Sequence, residues 1–330
     1  MGAPILQYEA AQAPAGYVLL ADSGDRTIFN LTGIPLVSKV DTPVVRPNGL
    51  ISGGAITPAA SSTNNYIDVA ALTCYLAGVL TTVGADADVD CARPTVSNCC
   101  VYSITVTSAG AIAAVKGTEG GAIVSTRDAA GGPPLIAVGS IEIGQVHYTS
   151  QSAADVLASE IHQVPGTHQE RSASPTWDME TYRVADGVLG VAGVTFHSAL
   201  PSIHTGSVAK RVYLSYSAPS FANVAVAKDF KRPADSKSVS SEEYYGLTKG
   251  KTSTSLGQGS FTAALESLSD PLLSHEGEFC FFKFFPDRED TDKYVLAQGY
   301  LGVDETYEID GQISAACTIS AQYAGKRITG

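Results

Sequence analysis

Leu256-Gly257-Gln258-Gly259-Ser260-Phe261-Thr262-Ala263-Ala264-Leu265 opens the C-terminal quarter of the chain, and its reading decides the fold class. Phe261, Ala263 and Leu265 alternate with Ser260, Thr262 and Glu266, with Ala264 on the polar parity. That is the period of two of a half-buried strand. Downstream, Glu278-Phe279-Cys280-Phe281-Phe282-Lys283-Phe284-Phe285 carries aromatics on both parities, so both faces of this strand are expected to be covered. Tyr294 to Leu301 reads as a third strand broken at Gly299. The last is the clearest: Ile313, Ala315, Cys317, Ile319 and Ala321 share one parity, and Ser314, Thr318, Ser320 and Gln322 the other. Together these segments predict an antiparallel β unit with one wet and one dry face.

Working outward, Trp177 to Tyr182, Gly187 to Phe196 and Arg211 to Tyr216 read as further strands, the last ended by Pro219. Trp177, the only tryptophan, is expected to anchor a core or an interface. Between Lys228 and Thr254 lies a long polar connection bearing Lys228, Lys231, Arg232, Lys237, Lys249 and Lys251. Connections of that length are uncommon without a purpose, although a surface loop also fits. Upstream, residues 49–150 read as an appended or inserted β module, with Tyr102 to Thr107 as an amphipathic strand and Leu135 to Ile143 as another. Short helices are expected at Ala70 to Leu80 and at Ala153 to Ile161, the second capped by Ser152. Residues 1–48 read as an arm with edge strands: Gly16 to Leu20 is a short strand candidate, and Pro35 and Pro43 demote Ile34 to Val45.

The Gly-Ser-Phe-Thr-Ala strand, the Phe-rich strand running into Phe285-Pro286-Asp287, the Gln298-Gly299-Tyr300-Leu301-Gly302 stretch, an acidic connector and the final strand to Gly325 stand in a telling order. That order resembles the major tail tube proteins of long-tailed bacteriophages, over roughly Tyr182 to Gly330. The resemblance implies an antiparallel β-sandwich with one short helix over residues 151–330. It further implies hexameric rings stacked into the tail conduit through which DNA leaves the virion, tape-measure and terminator proteins as partners, and the virion tail as location. On that reading the Lys228–Thr254 stretch reaches a neighbouring subunit or ring. Glu266, Asp287, Asp290, Asp304, Glu305 and Asp310 become candidates for the lumen or its loops. The alternative is a virion adhesin or decoration protein that presents the 49–150 module to a host surface.

Charge and motif searches bound the chemistry. The net charge is −12, and only 16% of residues are charged against about a quarter in ordinary soluble chains. From Gly257 to Gly330 there are 5 Lys/Arg against 12 Asp/Glu, a local balance of −7. Tight nucleic-acid binding needs the opposite sign, whereas DNA sliding past without sticking does not. Met1 to Leu6 shows no secretory signal, and the Val69–Val83 run is too short to span a bilayer, so a soluble chain made in the cytoplasm is expected. Asp86, Asp88 and Asp90 imitate a calcium loop, but Cys91 stands where the loop needs glycine and Ser97 where it needs glutamate. Among His147, His162, His168, His197, His204 and His275 there is no His-Glu-x-x-His and no i,i+4 pair. The six cysteines show no Cys-x-x-Cys, with a disulfide among Cys74, Cys91, Cys99 and Cys100 left open. With no nucleophile elbow and no phosphate loop, no catalytic centre, cofactor or metal is expected. A glycan-active enzyme would need paired carboxylates, and Asp287 to Asp292 reads better as a solvated turn.

Overall fold

The computed structural model describes residues 2–31, 44–62, 64–180, 192–205, 210–265, 267–307 and 313–329. It is mainly β, and every pairing between strands is antiparallel. The largest sheet runs in the order Val226–Lys231, Gly259–Leu265, Ile313–Ser320, Lys293–Tyr307, Phe279–Phe285, Ile5–Leu19, Val212–Asn223, Val44–Pro47. Lys326–Thr329 pairs with the first residues of the Lys293–Tyr307 strand.

The alternation at the C-terminus positions this sheet. Gly259–Leu265 buries every second residue, and Phe261, Ala263 and Leu265 meet Ala315, Cys317 and Ile319 in one core with Phe282 and Leu301. The phenylalanine strand is covered on both faces, since Phe282 enters that core while Phe281 packs with Leu296 on the other side. At about 25 cal/mol per Å² of apolar surface removed from water, burial on both faces makes this strand a large contributor to the stability of the sheet. Gly299 does not break its strand. It lies so close to the next strand that an added Cβ would stand 2.8 Å from the Ser320 carbonyl.

Several expectations are corrected. The N-terminal arm is no edge: Ile5–Leu19 lies between Phe279–Phe285 and Val212–Asn223, with Leu6 and Tyr8 in the main core. Register shifts between Glu9 and Ala11 and between Ala15 and Val18 bend it. Pro219 does not end its strand but sits opposite Gln12, close to the first shift. Val44–Pro47 is the edge strand, and the rest of the proline-bearing Ile34–Val45 segment lies outside the described residues, as does the first half of the Gly187–Phe196 segment, whose second half is the strand Ala192–Phe196.

Neither expected helix forms, and among the described residues there is no α-helix. Ala70 to Leu80 is instead a hairpin of Leu72–Leu76 and Val79–Val83. Its turn places Ala77 and Gly78 at φ 51° and 78°, the two left-handed residues that a tight hairpin needs. Leu72, Cys74 and Leu76 then point inward together. Ala153 to Ile161 yields only a 3₁₀ turn at Ala158–Glu160, because Val156 is drawn into a core and Ile161–His162 joins a sheet beside Ile141–Tyr148.

Leu50, Ile67, Cys74, Ile104, Ile143 and Tyr148 form a second core fed by three small sheets, whose strands run from Gly49 to His162. The Tyr102–Thr107 segment, expected to be amphipathic, is buried on both faces within Cys100–Val106: the Ser103 hydroxyl donates to Glu142 and that of Thr105 to the Ala113 carbonyl. The strand expected from Leu135 starts later, at Ile141. A third core holds Phe29, Phe196, Leu200 and Leu214, with half-buried Trp177 against it.

Candidate functional site

The Lys228–Thr254 stretch is not a loop. Ala234–Tyr244 and Leu247–Gly257 pair residue for residue, from Ala234 opposite Gly257 to Tyr244 opposite Leu247, around a turn with Gly246 at φ 82°. Serines recur along the first strand and serines and threonines along the second, and the Ser236–Ser255 and Ser238–Ser253 hydroxyls bond across at 2.8 and 2.7 Å. Among the described residues this hairpin pairs with no other strand, and only Ala234 and Leu256 at its base are even partly covered. Val239, Tyr244 and Leu247 stand exposed, and Tyr245 at the tip is fully open to solvent. A lone two-stranded hairpin is marginal in water. Here eleven residues a strand project with a cluster of apolar side chains at the far end.

The six cations predicted for this stretch separate into two groups. Lys237, Lys249 and Lys251 lie on the hairpin, where Glu242 faces Lys249 directly; with Asp235 and Glu243 the hairpin carries three cations against three carboxylates. It is therefore neutral rather than basic. Lys228 and Lys231 belong to the edge strand Val226–Lys231, opposite Thr262 and Ser260, and Arg232 follows it, donating to the Gly325 carbonyl at 2.6 Å.

The described members of the predicted acidic set occupy two places in the large sheet. Asp287 caps the N-terminus by accepting from the Gly2 amide at 2.7 Å, and Asp290 pairs with Lys293 at 2.7 Å in the same turn. Asp304 and Glu305 stand on the Lys293–Tyr307 strand, with Glu305 accepting from Tyr307. Glu266 and Asp310 lie outside the described residues.

Three clusters escaped the sequence reading. Glu142 and Glu170 lie together in the interior: Glu142 accepts from Arg127, Ser103 and Gln145, and its amide donates to Glu170 at 3.3 Å. Lys210 is buried beside Glu170 and donates to the Arg171 and Ser174 carbonyls. Burial raises Glu170 and lowers Lys210 from their ordinary values, since each charge is out of water. A cavity of about 260 Å³ adjoins these four side chains. Because each carboxylate has a cation beside it, the cluster reads as a buried clamp joining the second core to the chain before Val212–Asn223.

His147, His162 and His168 cluster with tilted and edge-on rings, their centroids 4.1 Å (147–162), 5.7 Å (147–168) and 5.3 Å (162–168) apart. Burial and the two neighbouring rings push His147 down to about 4. The third cluster, His275, Glu278 and Cys280, borders a cavity of about 660 Å³. Asp86, Asp88 and Asp90 do not converge: Asp88, at φ 55°, takes the Ser61 hydroxyl and donates its amide to Asp68. All six cysteines are buried as thiols. No helix among the described residues is long and apolar enough to cross a membrane. No protein-family model, curated protein or solved structure matches this chain.

Proposed function

We propose that this chain is a structural, self-assembling subunit of the tail-tube kind, forming hexameric rings that stack into a conduit for DNA. The observation that carries the reading is the projecting hairpin. Its apolar tip residues Tyr244, Tyr245 and Leu247 stand exposed among the described residues, and burying them is the part this reading gives to another copy. Two further features support it. The large sheet ends at Val226–Lys231 on one side and Val44–Pro47 on the other, two different edges of the kind that head-to-tail ring contacts join. The hairpin's balanced charge suits a contact made by backbone pairing and apolar anchors rather than by a basic arm on an acidic body. The buried Glu142–Glu170 pair, held by Arg127 and Lys210, is assigned a structural part in this scheme, and the subunit no catalytic one.

Sedimentation velocity over a concentration series tests the reading. A tube subunit gives species that keep growing with concentration. A small closed oligomer at every concentration would favour the adhesin reading, with the 49–150 module as the binding part.

A further inference from the structure

Among the described residues, one group brings three different metal-ligating side chains together. The ligand atoms of His275, Glu278 and Cys280 lie within 4.8 Å of one another. The backbone holds them there. His275 ends the 3₁₀ turn Pro271–His275, which Asp270 caps through the Leu272 amide. Gly277, at φ 76°, reverses the chain, and its amide donates to Leu301 while Leu301 donates back to Glu278. Cys280 then enters the sheet opposite Gly299. The His275 ring packs against Tyr8, and its Nδ1 meets a Glu278 carboxylate oxygen at 2.9 Å.

The three side chains border a cavity of about 660 Å³, whose lining also includes Glu9, Ala10 and Ala11. We propose that His275, Glu278 and Cys280 form a divalent transition-metal site of the zinc type, with its fourth position open to this cavity. A nitrogen, an oxygen and a sulfur donor together select a borderline-soft ion over magnesium or calcium, which take oxygen. Around tetrahedral zinc, with bonds of about 2.0–2.3 Å, neighbouring ligand atoms stand about 3–4 Å apart. Small rotations of His275 and Glu278, both reached by solvent, close the remaining gap. Binding releases the thiol proton of Cys280, and the resulting thiolate and carboxylate balance the two charges of the ion. The His147–His162–His168 cluster is the competing location, but among the described residues only His275, Glu278 and Cys280 bring three ligand atoms so close together.

The test uses the whole chain, stripped of metal and kept reduced. Zinc competition against a chromophoric chelator should give one equivalent bound, with affinity falling at acid pH as protons compete with the metal for its ligands. Cobalt in place of zinc should show intense tetrahedral bands in the visible and a thiolate charge-transfer band. Glu278→Gln and His275→Ala, at partly exposed positions, should each weaken binding at least about tenfold. Cys280→Ser should remove the charge-transfer band. The proposal is overturned if no stoichiometric site is found, or if cobalt binds without the thiolate band. It is equally overturned if both exposed-position variants bind as the parent does while His147→Ala abolishes binding.

Discussion

His204 and Lys210 show how much a single buried polar residue can control. His204 is 1% exposed, with its Nδ1 against the Ala137 carbonyl, and burial pushes it down to about 4. Its folded value lies below the unfolded one of about 6.5, so its share of stability is present above pH 6.5 and is lost as pH falls toward 4. His147 acts in the same direction. Thermal melts should therefore show stability falling between pH 6.5 and 4, with His204→Gln flattening the decline by on the order of 2 kcal/mol. Lys210→Met leaves Glu170 buried without its cation, which should cost about 3–5 kcal/mol in urea unfolding at neutral pH. Adding Glu170→Gln to that variant should restore most of the loss, because the uncompensated charge is gone. None of this clamp is legible from the chain: Glu142 and Glu170 stand 28 residues apart with no shared motif, and only the fold brings them together. His275, Glu278 and Cys280 differ, since all three fall within six residues. A search for two histidines on one helix face passes over them, because a 3₁₀ turn and a strand supply this geometry instead.

At the scale of the element, legibility followed amphipathicity. Gly259–Leu265 and Ile313–Ser320 have one dry face each, so their alternation is visible in the letters alone. Ile5–Leu19 holds a central place with Ala, Pro and Gly through its middle, and its neighbours rather than its own propensity make it a strand. The long hairpin is polar on both faces, so no alternation marks it, and Tyr245-Gly246 is its one turn signal. Replacing residues 237–254 by Asn-Gly would join the facing pair Ser236 and Ser255 through a tight turn. Leu256, which packs on the main core, is kept. The shortened subunit should melt within a few degrees of the parent, as no core residue is lost, and should sediment as a species that no longer grows with concentration. In Lys293–Tyr307, Gly299→Ala drives a methyl group against the Ser320 backbone. It should cost about 1–3 kcal/mol, read as a lower urea midpoint with an unchanged slope.

At the scale of the whole molecule, three large cores and a large sheet with two different end strands belong to a subunit whose hairpin has no strand partner among the described residues. The account's central claim is that other copies supply that partner. Negative-stain electron microscopy of the purified chain over a concentration series tests it most directly. Rings with a central hole, stacking into tubes as concentration rises, are the expected images, with the 237–254 replacement giving rings that do not stack. Fields of monomers or compact trimers at every concentration, for parent and variant alike, would contradict the claim.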